Sequence, residues 1–507
     1  MEALCQKQFL QLAPPTEADP RAEKQRILDA LSPALGSVRM ALPVMRKLHA
    51  VLRDAQWQVT ATLAWTGLCW EVVGLAPGNT ADRNYGICVD LGSTTVCMRL
   101  VNLATGETVC QDSAYNRQIA FVEDILTRVF YSKDNAAALE EIRQATLATF
   151  QEVLEGLEEK SGYPVASCGA MTVAGNTTMM HFLLGLDAFG VFAAPYAPRA
   201  MRFDPYPARD LGLLLDGYVY CYPCRANYLG GDIISGLVAT NLTRESEICV
   251  FLDIGTNGEL VVGNREFLMA GAGAAGPALE GGVVKTGMRA VEGAVSYVRL
   301  EQGTFYLTVI GGGAPQGLCG SGIVDLIAQL YLNGLVDLRG KLIPESGKLE
   351  QRDGEWAVCY APGLYFYQSD IDAFLQTKAA ANTMVEYMLD ALGVPMDQVG
   401  KFFVAGAFGT YLDKESAVTI GLYPDLPRDR IVSAGNTSLE GAHRLLCDRE
   451  IWDGLDRILD TMEYVQFGEV ANFIDRMAAA KAIPHTDLSR YPSVRRKLLA
   501  RGRLAQG

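Results

Sequence analysis

CVDLGSTTVCMRLVN (residues 88–102) and FLDIGTNGELVVGN (residues 251–264) are built to one plan. Each runs from an apolar strand to an aspartate, one apolar residue and a glycine. Hydroxyl or amide side chains follow, and then a second strand. The two copies stand about 163 residues apart, too long a period for a solenoid, whose repeats are ~20–50 residues. The spacing predicts a duplicated α/β domain, the two copies facing each other across a cleft.

The turn itself suggests a chemistry. Its glycine lets backbone approach a phosphate, and its amides and hydroxyls donate to phosphate oxygens. An aspartate at the strand end repels phosphate but holds the waters around Mg²⁺. The first turn offers Asp90, Gly92, Ser93, Thr94 and Thr95; the second offers Asp253, Gly255, Thr256, Asn257 and Gly258. One such turn is ordinary hairpin punctuation. Two, each after a buried strand and followed later by AGAFG (405–409) ahead of a helix, form a more specific constellation that points to a Mg-polyphosphate site. Clamping a polyphosphate from both sides suits phosphoryl transfer by positioning and electrostatics.

Working outward, residues 1–30 read as a tail and a Pro- and charge-rich linker. Residues 31–84 form a small α/β unit, with a helix in MRKLHAVLRDA and strands in QVTATLAW and CWEVVGLAPG. Residues 85–247 and 248–507 are the two copies, the second ending in a basic tail. Pro-rich and helical excursions separate the motifs GNTTMMH (175–181), GGDIISG (230–236), LCGSGIVD (318–325) and GNTSLEGA (435–442).

In this order the motifs resemble the superfamily of actin, sugar kinases and heat-shock chaperone ATPases. That resemblance implies two ribonuclease-H-like domains around a nucleotide. It makes GGDIISG a first connecting segment, with Asp232 orienting the attacking water; N-capping of the following helix is an equal reading of Asp232. LCGSGIVD stands as the second connecting segment, with Gly320 and Gly322 permitting close helix packing. AGAFG stands as the adenosine motif, with Gly406, Ala407 and Gly409 approaching the base or ribose.

From about residue 12 onward, DLGSTT, AGNTTMMH, GGDIISG, DIGTNGE, AAGPALEGG, LCGSGIVD, AGAFG and GNTSLEGA together resemble the reductive activators of corrinoid proteins. Members of that family use ATP to drive an electron onto the cobalt of a corrinoid methyl carrier, restoring cob(I)alamin from cob(II)alamin. The resemblance implies ATP and Mg²⁺ as cofactors and a corrinoid protein as partner, with homodimerisation open. Three features depart from the family pattern. Only Cys5 precedes the linker and none follows Cys447, whereas an iron–sulfur cluster needs four cysteine-type ligands. No iron–sulfur cluster is therefore expected here, and a separate ferredoxin or reductase is expected to supply electrons. YNRQ (115–118) stands where the family tends to have Asn-Pro-Gln, and a C-x-x-C lies at Cys221 and Cys224. The other classes on this scaffold are a small-molecule kinase, a nucleotide-gated regulatory protein and an activator of radical dehydratases.

Composition excludes further classes. A net charge of −14 opposes a nucleic-acid groove or an anionic membrane surface as the main partner. There is no apolar signal region near Met1, and no apolar run reaches the ~18 residues of a membrane span. The 12 cysteines are scattered rather than paired in a disulfide pattern, so a cytoplasmic location is expected. Cys221 and Cys224 lack the further ligands a metal needs and read as structural. His181, Met179 and Met180 read as core. Lys285 and Arg289 read as phosphate or partner contacts or as solvated surface, and Lys378 as a helix residue that faces the nucleotide or, in the preferred reading, makes a salt bridge.

Overall fold

The computed structural model describes residues 2–121, 124–255, 257–274, 282, 284–406, 411–467, 470 and 472–504. Its first sheet has the order β1-β3-β4-β2, from Cys5–Gln11 (β1), Val38–Met40 (β2), Gln58–Trp65 (β3) and Trp70–Pro77 (β4). Helices Glu23–Leu35 and Leu42–Asp54 cover it, burying Ile27 and Leu31, and Val44, Leu48 and Leu52. That four-residue spacing is one stripe of a helix. Residues 5–11, read from sequence as tail, pair antiparallel with β3 from Cys5↔Ala64 to Gln11↔Gln58. Sequence pattern misses β1 because QKQFLQ is mostly polar, while its partner QVTATLAW is buried almost throughout. The linker after β1 is fixed by the buried Arg26, whose guanidinium donates to Asp19 at 2.8 Å and to the Ala13 carbonyl at 3.3 Å.

The next sheet contains Tyr85–Leu91 (β5), Thr95–Asn102 (β6), Glu107–Tyr115 (β7), Ala170–Gly175 (β8), Tyr206–Pro207 (β9) and Tyr218–Cys221 (β10), in the order β7-β6-β5-β8-β10-β9. The first three strands form an antiparallel meander, and β8 and β10 continue it in parallel with β5. The 26-residue helix Ala136–Ser161 makes the crossover, capped by Asn135 at its start and by left-handed Gly162 at its end.

The second copy contains Cys249–Ile254 (β11), Asn257–Gly263 (β12) and Leu268–Ala274 (β13), then Lys401–Ala405 (β20), Ile431–Gly435 (β21) and Met462–Val465 (β22). Its order is β21-β20-β11-β12-β13-β22. Again a meander of three is extended from its first strand by two parallel strands. Third–second–first–fourth–fifth in both sheets is the ribonuclease-H-like arrangement, so the sequence repeat is a repeat of topology. Between β13 and β20 lie two three-stranded sheets. One is Ala294–Glu301 (β14), Thr304–Val309 (β15) and Gly317–Leu318 (β16); the other is Leu349–Arg352 (β17), Glu355–Ala361 (β18) and Leu364–Tyr367 (β19). Helices Gly320–Leu332 and Gln368–Ala391 lie in the same stretch.

The chain divides into two compact units, residues 1–239 with 437–460, and residues 240–436 with 461–507. Residues 437–460, read from sequence as part of the second copy, thus belong to the first unit. The helix Thr437–Cys447 buries Leu439, Ala442, Leu445 and Leu446, and packs on β5 and β8. Burying each leucine is worth roughly 1.5–3 kcal/mol. Side chains of the unit grip this helix: Thr172 Oγ1 donates to the Ala442 carbonyl and Tyr222 Oη to the Gly441 carbonyl, both at 2.7 Å. Farther along, the Arg449 guanidinium stacks on Trp65 at 4.3 Å and on Trp70 at 5.5 Å, tying the segment to the small domain.

Among the described residues Lys378 makes no side-chain salt bridge. It is fully buried, and its ammonium donates to the carbonyls of Ala480, Ala482 and Pro484. Burial pushes its pKa down to about 7, and three carbonyl acceptors are what a charged ammonium needs to persist there. Lys378→Met leaves those carbonyls without their donor and is expected to cost about 3 kcal/mol of stability. Denaturant unfolding checks this, and an unchanged midpoint refutes the role. Among the described residues no helix is long and apolar enough to cross a membrane.

Candidate functional site

The first turn is held in shape from behind. Gly92 donates its amide to the Thr95 carbonyl at 3.1 Å, and a Cβ on Gly92 would lie 2.6 Å from that oxygen, so only glycine fits. Three successive carbonyls are then taken by donors from one side. Gly92 O accepts from Asn116 Nδ2 at 2.9 Å, Ser93 O from Arg128 Nη1 at 2.8 Å, and Thr94 O from the Asn116 amide at 2.8 Å. The Ser93 and Thr94 amides donate to no group among the described residues. Thr94 and Thr95 are exposed. Tied carbonyls and open amides make an anion-binding concavity at the end of the strand that carries Asp90.

Asp90 is partly buried and accepts from Ser438 Oγ at 2.8 Å. Ser438 stands in the first turn of the helix that returns from the far end of the chain, within GNTSLEGA. Sequence reasoning assigned no role to Asn116, Gln118, Arg128 or Ser438. The one available signal was YNRQ: its Asn and Gln do the holding. Arg117 between them faces outward to Glu152 at 2.9 Å, so an arginine there disturbs nothing.

Beside β5, parallel β8 ends at Gly175, which pairs with Leu91. Asn176 then caps the helix Thr177–Leu184, accepting from the Met179 amide at 2.9 Å. The double glycine of GGDIISG rests on this turn. A Cβ on Gly230 would lie 2.4 Å from Asn176 Cα, and one on Gly231 would lie 2.8 Å from Tyr222 Cβ. Asp232 is the second residue of the helix Gly231–Thr240, inside the helix rather than at its N-cap. Gly230 takes the cap position, because its carbonyl accepts from the Ile233 and Ile234 amides. Asp232 Oδ1 accepts from the Ile233 amide at 2.9 Å. A carboxylate there also meets the positive end of the helix dipole. Asp90, Gly92–Thr95 and Asp232 thus gather at the carboxyl ends of the parallel strands β5 and β8, where open α/β sheets bind ligands.

In the second unit Asp253 is the next-to-last residue of β11, opposite Glu259 on β12 and beside Ala405 on β20. Gly406 leaves β20 with φ at +78°, and a Cβ there would lie 3.1 Å from Asp253 Oδ1. A side chain at 406 would be both strained and pressed on the carboxylate. Gly255 lies at the turn and buried Gly258 pairs back to Ile254. Thr256, Ala407 and Gly409 lie outside the described residues. Of Asn257 only the backbone is described, as the first residue of β12. Most of AAGPALEGG also lies outside them. Gly320 opens the helix Gly320–Leu332. Two residues on, a Cβ on Gly322 would lie 2.2 Å from the Val295 carbonyl, as close packing requires.

His181 is buried, with Nδ1 on the Thr177 carbonyl at 2.6 Å and Nε2 accepting from the Ala200 amide at 3.3 Å. Burial lowers its pKa, so the ring is neutral. Cys221 and Cys224 are buried, and burial pushes both thiols up to about 12, where they carry almost no thiolate at neutral pH. Lys285 pairs with Glu355 at 2.6 Å and lies over the Tyr367 ring. Among the described residues no three His, Cys, Asp or Glu side chains are grouped to hold a metal by themselves.

Comparison with known proteins gives three family matches along the chain. The RACo linker region matches residues 1–82, the RACo middle region residues 85–245, and the C-terminal domain of RACo, the ASKHA domain, residues 247–495. The corrinoid activation enzyme RamQ of Eubacterium limosum is 30% identical over 416 residues, 78% of this chain and 70% of that protein. The [Co(II) methylated amine-specific corrinoid protein] reductase of Methanosarcina barkeri is 23% identical over 408 residues, 74% of this chain and 72% of that protein. The solved structure of a reductive activator for corrinoid, iron-sulfur protein superposes with a TM-score of 0.87 at 33% identity, covering 97% of this chain and 81% of that one.

Proposed function

The chain belongs to the RACo family of reductive activators, and on that premise we propose that it binds and hydrolyses Mg-ATP to drive reduction of a corrinoid protein. The observation that carries the reading is the first turn, whose carbonyls are tied back and whose Ser93 and Thr94 amides are open. The substrate of the redox step is the cobalt of a corrinoid methyl carrier, which gains one electron in passing from cob(II)alamin to cob(I)alamin. That electron comes from a separate ferredoxin or reductase, and the reaction takes place in the cytoplasm.

The donor set fits the nucleotide and its ion. Open backbone amides and hydroxyls suit phosphate, and strand-end carboxylates suit the water shell of Mg²⁺. Bound Mg²⁺ would neutralise phosphate charge as the terminal phosphoryl leaves. Ser93, Thr94 and Thr95 hold the phosphates, and the DIGTNGE motif offers Gly255, Thr256, Asn257 and Gly258 for further phosphate contacts. Asp90, kept in place by Ser438, and Asp253, flanked by Gly406, hold the ion's waters. Asp232 orients the attacking water. Gly320, Gly406, Ala407 and Gly409 bring backbone up to the nucleoside. Coupling follows if the nucleotide-bound state binds the corrinoid protein with different contacts, because differential affinity is what shifts an equilibrium.

The deciding assay follows the absorbance of a cob(II)alamin-loaded corrinoid protein mixed with the purified chain, Mg-ATP and reduced ferredoxin. Cob(I)alamin is expected to form only when ATP is present. No reduction, together with an ATPase rate that the corrinoid protein leaves unmoved, overturns the activator reading.

A further inference from the structure

The first turn has a charged residue behind it to which no role has been given. Arg128 lies on the helix Ile125–Ser132 and is fully buried. Its Nη1 reaches Ser93 O at 2.8 Å and Gln118 Oε1 at 3.2 Å. Gln118, itself buried, is oriented in turn. Its Nε2 donates to Thr146 Oγ1 at 2.6 Å, and Thr146 donates to the Ile142 carbonyl at 3.0 Å on the long helix. Asp124, the acidic residue at the start of the arginine's helix, has its two oxygens on the Leu126 and Thr127 amides. Of the donors that tie back the three turn carbonyls, Arg128 alone is charged; the other two belong to Asn116.

We propose that Arg128 is a positioning residue for the triphosphate, acting through the Ser93 peptide. Holding the Ser93 carbonyl inward turns the neighbouring amides outward, and a neutral donor does that equally well. A guanidinium adds more. It polarises the peptide it grips, and its charge lies where water screens it poorly. The turn therefore discriminates by phosphate charge, favouring triphosphate over diphosphate and both over nucleoside. The inference rests on the ATP reading above, and its test separates the two.

Titration calorimetry with Mg-AMPPNP, Mg-ADP and adenosine on the full chain gives the readout. For Arg128→Gln, AMPPNP affinity is expected to fall about tenfold, ADP affinity about threefold and adenosine affinity not at all. Arg128→Lys keeps the charge and loses the planar fork. It is expected to recover most of the AMPPNP affinity. If the glutamine variant does not fold, Arg128→Met carries the test, with the same graded losses expected for the three ligands. Equal loss for all three ligands, or no loss for any, makes Arg128 a purely structural residue and overturns the proposal. Failure of the unaltered chain to bind AMPPNP or ADP overturns the ATP reading instead.

Discussion

Asp90→Ala is expected to lower ATP turnover by about 10³-fold while weakening nucleotide binding less than about tenfold, and Asp253→Ala to do the same. The asymmetry follows from where each carboxylate stands. Both stand next to last in a strand that runs into a glycine turn, where a carboxylate would repel phosphate and attract the waters of its counter-ion. On the proposed reading, affinity for nucleotide rests mainly on the turn's amides and hydroxyls and on the glycine contacts to the nucleoside, which neither substitution touches. Charge neutralisation in the transition state rests on the ion, and a misplaced ion is felt in turnover first. Asp90→Asn is the sharper variant. Its amide oxygen keeps the acceptor for Ser438 Oγ, now 2.8 Å away, so any loss of turnover belongs to charge rather than to a disturbed helix. Phosphate release paired with equilibrium AMPPNP binding gives the split. Unchanged turnover in both alanine variants removes the aspartates from the mechanism.

What the sequence disclosed about this site was whatever is local. A buried strand ending in Asp-x-Gly is a contiguous pattern, and both copies fold as turns at strand ends, each within a sheet ordered third–second–first–fourth–fifth. Residues whose work is done at long range stayed hidden. Asn116 and Arg128 matter because they grip backbone carbonyls of a turn earlier in the chain, and carbonyls leave no mark on a sequence. Ser438 sits in a motif that reads plainly as turn and helix, yet its helix returns to the first unit and meets Asp90. Lys378 invited a salt-bridge reading because lysines on long helices are usually solvated. Its partners are three carbonyls about 100 residues farther on. In the same way β1 was lost in a polar heptapeptide whose buried partner supplies the apolar contact.

Asp232 is where one substitution separates two chemistries. Its Oδ1 accepts from the Ile233 amide at 2.9 Å in the first turn of the helix Gly231–Thr240, and that contact alone fully explains an aspartate there. The surroundings ask for more. Gly230 and Gly231 are pressed onto Asn176 and Tyr222 with no room for a side chain, which brings this helix start close against the end of β8, one strand from Asp90. A helix-start contact needs no such approach; a carboxylate that must reach a water beside a phosphate does. An asparagine oxygen keeps the contact to the Ile233 amide, so Asp232→Asn is expected to leave unfolding stability within ~0.5 kcal/mol of its original value. It cannot accept a proton, so turnover is expected to fall by about 10²–10³-fold with AMPPNP affinity unchanged. Asp232→Ala then loses both properties. Full turnover in a stable Asp232→Asn chain would leave the residue as a helix-start contact and send the search for the water-orienting group elsewhere in the first unit.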